Sequence, residues 1–125
     1  MNLKEVMYGF FLLLALTSNF TFFYSYQYTL FGSNIFLLGV AIFFNLIMVF
    51  RKLNDEHQLG AVFLSTSIVA LLELILAGLI VVYSYYYSIE SEAFASSVIS
   101  LSGGALLANI ISVGMYVIYT IKYKA

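Results

Sequence analysis

The chain has 125 residues, of which 63% are hydrophobic and 9% are charged. Soluble domains carry roughly 45–50% apolar and about 25% charged residues, so a soluble fold of this length has no interior large enough for this apolar surface. A net charge of −1 gives no electrostatic basis for binding nucleic acid. The absence of cysteine from the sequence excludes disulfides, thiolate metal sites and a cysteine nucleophile.

Four apolar segments predict an all-α integral membrane protein that crosses the bilayer four times. At about 1.5 Å rise per residue, each segment reaches or approaches the thickness of a hydrocarbon core of about 30 Å. The first segment lacks a small-residue cleavage site at its end, so we interpret it as a retained span rather than a signal peptide. The segments are residues 6–24, 34–50, 59–83 and 95–121, within a single transmembrane domain of residues 1–125.

Short connections link the four segments, which favours an antiparallel four-helix bundle. Side chains that commonly cap helices stand at the starts of three segments. The connections are residues 25–33, 51–58 and 84–94. The predicted caps are Ser33 for the second helix, Asp55 with Gln58 for the third, and Ser91 with Glu92 at an interfacial turn before the fourth.

Basic residues mark one side of this four-span arrangement, whereas the opposite side carries Glu90 and Glu92. Cytoplasmic loops are enriched in Lys and Arg, so we expect both termini to be cytoplasmic (N-in/C-in). The basic residues are Lys4, Arg51, Lys52, Lys122 and Lys124.

All eleven tyrosines lie near span ends, which is typical of an aromatic belt at the two membrane interfaces. A tyrosine-rich binding site on the outer side is the alternative interpretation. The outer cluster comprises Tyr24, Tyr26, Tyr28, Tyr83, Tyr85, Tyr86 and Tyr87, and the inner cluster comprises Tyr8, Tyr116, Tyr119 and Tyr123.

Glu73 is the one acidic residue within a predicted span, close to the middle of the third. An ionised carboxylate at this depth costs at least a few kcal/mol unless it is paired or hydrated, so we expect a protonated side chain. Its helical neighbours Thr66, Ala70 and Ala77 are small or polar, which predicts that Glu73 points at another helix. We interpret it as a structural hydrogen-bonding group, and a partner-subunit contact or a proton or cation site are the alternatives.

Three asparagines, Asn19, Asn45 and Asn109, also lie within predicted spans. Asn109 lies closest in depth to Glu73, so a hydrogen bond between these two side chains is geometrically feasible. Such bonds contribute about 0.6–2 kcal/mol each in membranes. We therefore expect an intramembrane polar network or partner contact, with helix packing as its main role and a water-lined pathway as the alternative.

The fourth segment carries small residues at every fourth position, flanked by Gly103 and Gly114. Small residues allow two helix backbones to approach closely in a membrane, so the stripe predicts tight packing against another helix of this chain or of another subunit. The stripe comprises Ser96, Ser100, Gly104, Ala108 and Ser112.

His57, the only histidine, lies beside Asp55 and Glu56 in the second connection. This turn offers too few ligands for a metal site, and we interpret it as a polar loop. The sequence contains no phosphate-binding glycine loop and no nucleophile–base pair. We therefore expect no enzymatic activity, no cofactor and no metal.

Packing motifs in three of the segments resemble those of a known family. They are Gly9–Phe11, Ala15–Thr17, Asn19–Phe20 and Phe22–Phe23 in the first segment, Gly60–Val62 with Thr66–Ser67 in the third, and Ser102–Asn109 in the fourth. Together they resemble an uncharacterised family of small four-span bacterial inner-membrane proteins, a domain of unknown function. The resemblance covers nearly the whole chain and implies the fold and an inner-membrane location, but no activity.

Two functions from different classes fit these features. The first is a non-catalytic accessory or assembly subunit of a larger inner-membrane complex, for which an ion-transport system is one candidate. The second is a small homo-oligomeric secondary transporter that uses Glu73 as its coupling carboxylate. The expected partners are the lipid bilayer and either another membrane-protein subunit or a second copy of the chain, with no nucleic acid.

Overall fold

The computed structural model describes residues 2–29, 34–54, 60–89 and 91–123, and nearly all of them are helical. Each of the four helices is long and apolar enough to cross a membrane. The predicted all-α four-helix membrane fold is therefore confirmed. The helices are α1 (Leu3–Thr29), α2 (Ile35–Leu53), α3 (Gly60–Tyr86) and α4 (Glu92–Tyr123).

The four helices form a square bundle. Each helix packs against its neighbours in sequence, and α1 also packs against α4, whereas α1 and α3 lie diagonally apart, as do α2 and α4. The start of α1 and the end of α4 meet at one end of the bundle, where the Tyr116 hydroxyl donates a hydrogen bond to the Glu5 carboxylate. We call this the basic end, because Lys4, Arg51 and Lys122 also lie there.

One stripe of residues, spaced by alternating steps of three and four, forms the buried face of each helix. A mean step of 3.5 residues is the repeat of a coiled-coil seam, so the helices pack around the bundle axis along four such seams. The seam residues are Tyr8, Leu12, Ala15, Asn19, Phe22 and Tyr26; Asn34, Leu38, Ala41, Asn45, Met48 and Lys52; Phe63, Ser67, Ala70, Leu74, Ala77, Val81 and Ser84; and Ala95, Val98, Ser102, Ala105, Asn109 and Ser112.

The seam repeat corrects the predicted tyrosine belt at two positions. Tyr8 and Tyr26 are only 5% and 1% exposed, because both lie on the α1 seam and point into the bundle. Several other tyrosines have half or more of their side chain exposed, as an interfacial belt requires. These are Tyr24, Tyr83, Tyr85, Tyr86, Tyr87 and Tyr123, and the Tyr28 side chain lies outside the described part of the chain.

The start of α4 confirms one predicted cap. The Ser91 hydroxyl accepts hydrogen bonds from the backbone N–H groups of Ala93 at 3.2 Å and Phe94 at 3.4 Å. The helix begins at the next residue, Glu92, without a separate interfacial turn. Several other predicted features lie outside the residues that the structure describes: Ser33, Asp55, Glu56, His57, Gln58, Glu90 and Lys124.

The end of α2 corrects the predicted second connection. This connection was expected to begin at Arg51, but α2 continues to Leu53 and includes both Arg51 and Lys52. The helix continues past its apolar segment because position 52 falls on the α2 seam, where its side chain has polar partners inside the bundle.

The square bundle predicts which ends share a side of the membrane. The chain has no cysteine, so Lys4→Cys, Lys122→Cys and Tyr86→Cys each supply a single thiol. An impermeant maleimide added to intact cells should label either the first two variants or only the third, and should label all three in opened membranes. Labelling of Lys4→Cys and Tyr86→Cys from the same side would contradict the four crossings.

Candidate functional site

Lys52 is the least expected member of the buried polar set. It is 6% exposed, and its Nζ donates to the Phe63 carbonyl at 2.9 Å, Thr66 Oγ1 at 3.2 Å and Ser112 Oγ at 2.5 Å. The same nitrogen lies 3.8 Å from the centre of the Phe63 ring. The sequence interpretation of Lys52 as a loop charge is therefore wrong, since the residue joins α2, α3 and α4 inside the bundle.

The site of this ammonium group lies inside the bundle near its basic end, since Lys52 is one residue from the end of α2 and Phe63 is three residues from the start of α3. Ser112 precedes Tyr123, the last residue of α4, by eleven positions, which corresponds to about 16 Å of helix. All three acceptors are neutral, and none of the described carboxylates forms an ion pair with Lys52. Burial of a charge without an opposite charge is costly unless hydrogen bonds compensate for the lost water.

An aromatic layer covers Lys52 on the side of the basic end. The rings of Tyr8, Phe63 and Tyr116 come from three helices, and their centroids lie 5.1 to 6.4 Å apart at small interplanar angles. The guanidinium of Arg51 lies 5.3 Å from the centre of the Tyr8 ring. This layer separates the Lys52 ammonium from the aqueous phase at that end.

The three predicted asparagines all lie inside the bundle, but the side-chain hydrogen bonds of Asn45 and Asn109 are to backbone atoms. Asn45 Nδ2 donates to the carbonyl of Ala41 in its own helix at 2.8 Å, and Asn109 Nδ2 donates to the carbonyl of Ala15 in α1 at 3.5 Å. Both amide atoms of Asn19 are buried without a hydrogen bond. The structure thus brings the three asparagines into one interior without directly bonding them to one another.

Glu73 lies apart from these asparagines, in the groove between α3 and α4. Its carboxyl group rests against the bare backbone of Gly104, where an added Cβ atom would lie only 3.0 Å from Glu73 Cδ. The feasible bond to Asn109 is not formed. The reason is that Gly104 and Asn109 are five residues apart, about 140° around α4, and Asn109 faces the bundle axis instead.

The small-residue stripe of α4 does not follow one packing surface. Positions four residues apart turn by about 40° per step relative to a straight helix, so the stripe winds away from the seam. Ser96 and Ser100 are exposed, Gly104 is half-buried, and Ala108 and Ser112 are buried. Close packing on the chain's own helices therefore involves only the second half of the stripe.

The bundle interior is suited to binding through hydrogen bonds and charge. It offers one ammonium group, hydroxyl groups and carboxamides, and within the described ranges there is no group of three His, Cys, Asp or Glu residues that could hold a metal. Sequence reasoning missed Lys52, although a signal was present. Lys52 lies seven residues after Asn45, so a seven-residue repeat places both on the same helix face.

The contact between Gly104 and the Glu73 carboxyl group predicts that substitutions at these two positions have coupled effects on stability. We expect Gly104→Ala to destabilise the protein because the new methyl group displaces the carboxyl toward lipid. In a Glu73→Ala background, the same change should be neutral or stabilising, since alanine is the better helix former. Unfolding in mixed micelles, followed by circular dichroism, should give a coupling energy of about 1 kcal/mol.

Gly114 is the matched control for this cycle, because an added Cβ atom there meets nothing within 4 Å. Gly114→Ala should have the same effect in both backgrounds. If the effects of Gly104→Ala and Glu73→Ala on the free energy of unfolding were strictly additive, the position of the carboxyl group would not depend on the missing side chain at Gly104.

Comparison with known proteins gives one match. Residues 32–120 match the model of a family of unknown function (DUF6394), whereas no curated protein and no solved structure matches the chain. The matched segment includes Lys52, Glu73 and Gly104, and it leaves α1 with Asn19 outside. Because the match extends over more than half of the sequence, the chain belongs to this family of unknown function.

Proposed function

We propose that this chain is a non-catalytic accessory or assembly subunit of a larger membrane complex, which binds a transmembrane helix of its partner in the α3–α4 groove. The observation that carries the proposal is the position of Glu73. Its side chain is half-buried rather than enclosed, and its carboxyl group has no hydrogen-bond partner among the described residues. The bilayer interior cannot supply a partner for this carboxyl group, but a polar side chain on a second helix can.

The surroundings of Glu73 suit the close approach of another helix. Gly104 has no side chain, so the α4 backbone is accessible on its side of the groove. Ser97 and Ser100 expose small polar side chains one to two turns away along the same helix. On α3, the exposed Leu76 lies one turn from Glu73. A partner helix with a hydroxyl, amide or basic side chain at this depth would bury the carboxyl and make apolar contact on both sides.

The charge distribution supports a location for this complex. The basic end carries Lys4, Arg51 and Lys122 outside the bundle core, and Lys and Arg are enriched on the cytoplasmic side of membrane proteins. We therefore infer that both termini are cytoplasmic, and the resemblance to small four-span bacterial proteins favours a bacterial inner membrane. An ion-transport system is the host complex that we favour, because Glu73 lies at the middle of α3 and Lys52 is buried inside the bundle.

Photocrosslinking in the native membrane tests the partner helix. A photoactivatable phenylalanine analogue at Leu76 should give an adduct of one defined mass with another membrane protein. The matched control is Phe20, which is 49% exposed on the diagonally opposite helix α1 and should give none. Glu73→Leu should weaken the Leu76 adduct, and equal adducts at both positions or none at either would contradict the proposal.

The second candidate function is a homo-oligomeric secondary transporter, since the half-exposed carboxyl could equally be shared with a copy of this chain. An adduct with twice the mass of the chain would favour it. In proteoliposomes with an enclosed pH-sensitive dye, the parent protein should then carry protons and Glu73→Gln should not. Equal proton flux for both proteins, or none for either, would exclude this function.

A further inference from the structure

Arg51 lies between α1 and α2 at the basic end, where its guanidinium group contacts two aromatic rings of α1. The guanidinium carbon is 5.3 Å from the centre of the Tyr8 ring and 5.5 Å from the centre of the Phe11 ring. Both distances are within the range of a cation–π interaction, about 6 Å. The two rings therefore position a side chain that would otherwise have many rotamers.

The N–H groups of Arg51 have no hydrogen-bond acceptor within the described part of the chain. Contact with a ring face attracts the charge of a guanidinium group but leaves its N–H groups available. These donors form a planar fork that matches two oxygens of a phosphate or carboxylate. Arg51 is half-buried rather than enclosed, so a molecule outside the bundle can reach it.

Lys4 provides a second positive charge on the same side of α1. Lys4, Tyr8 and Phe11 follow one another at spacings of four and three residues, which places them on one helix face. Lys4 is exposed and lies one turn, about 6 Å of helix, nearer the start of α1 than Tyr8. The neighbouring Glu5 is bonded to the Tyr116 hydroxyl, on the side of α1 that faces α4.

The basic end has a net positive charge even when the α2–α3 connection and the C-terminus are counted from the sequence. The five basic residues at this end outnumber the three acidic ones, Glu5, Asp55 and Glu56, which leaves a net charge of +2. Basic sites between transmembrane helices attract anionic lipid headgroups, which are concentrated at the membrane surface. The charge of this end therefore favours an anionic ligand.

An aromatic surface continues from Arg51 toward the middle of the membrane. The ring of Phe11 lies 6.4 Å from the ring of Phe44 on α2, and both residues are half-buried. An acyl chain can pack on these rings while its headgroup lies at the level of Arg51 and Lys4. This combination of two cations and an apolar continuation matches a phospholipid better than a soluble anion.

We propose that the α1–α2 groove at the basic end binds one anionic phospholipid. The guanidinium group of Arg51 donates to the lipid phosphate, Lys4 adds a second positive charge, and Tyr8 and Phe11 position Arg51. The groove lies on the side of the square bundle opposite the α3–α4 groove. The lipid site therefore goes beyond the proposed function and does not require the partner helix.

Native mass spectrometry of the full-length protein tests this site. From mixed micelles with equal amounts of phosphatidylglycerol and phosphatidylcholine, the parent protein should retain one phosphatidylglycerol molecule in preference. Arg51→Gln should lower the affinity for phosphatidylglycerol about tenfold, the equivalent of one hydrogen bond to a charged group. Lys122→Gln is the matched control, because it removes one charge from an exposed position on α4, which does not form this groove, and it should retain the affinity.

Two further variants, Arg51→Lys and Phe11→Leu, keep every charge and test the geometry. Lysine cannot bind a phosphate through a planar fork, and leucine removes one of the two rings that position Arg51. Each should lower the affinity for phosphatidylglycerol, by less than Arg51→Gln does. Equal retention of the two lipids by the parent protein would overturn the proposal. So would equal losses in Arg51→Gln and Lys122→Gln, or unchanged affinity in both Arg51→Lys and Phe11→Leu.

Discussion

Hydrocarbon provides no hydrogen-bond partners, and the arrangement of this bundle follows from that constraint. Helices satisfy the backbone, but polar side chains must find partners in the protein. The 3.5-residue seam collects most of them on the bundle axis, including Asn19, Asn45, Asn109 and Lys52. The outer surface of the helices carries mainly apolar side chains that lipid can solvate.

Two ionisable side chains of the spanning helices meet this constraint in different ways. Lys52 lies inside the bundle and uses all three ammonium hydrogens on acceptors from α3 and α4. Glu73 lies in a groove at the bundle surface, where a glycine makes room for its carboxyl group. The hydrogen bonds of the first arrangement are complete within one chain, whereas in the second no described residue donates to or accepts from the carboxyl group.

Much of the fold could be predicted from sequence, because span length and apolar composition report directly on the bilayer. The Ser91 cap was also predictable, since a hydroxyl before a helix has a local partner in the first turn. Burial within the bundle was harder to predict. A lysine at a span end looks like a loop charge, and only the seven-residue spacing from Asn45 shows that Lys52 faces the axis.

The α3–α4 groove shows a second limit of sequence reasoning. The hydrogen bond between Glu73 and Asn109 was predicted only from their similar depth in the membrane. Depth does not specify the direction in which a side chain points around its helix. The four-residue stripe shows the same limit, because Ser96 and Ser100 turn away from the seam on which Ser112 lies and do not pack within this chain. Orientation about the helix axis depends on the neighbouring helices, which a single sequence specifies only through its repeat.

The buried position of Lys52 has a consequence for how the helices align as they assemble. Antiparallel helices with a uniform apolar seam could slide by one heptad, about 10 Å, at little cost. With Lys52 in the seam, such a slide would move the ammonium away from Thr66 and Ser112 and into contact with the apolar residues of a neighbouring layer. A single charged side chain thereby selects one register for α2 against both α3 and α4.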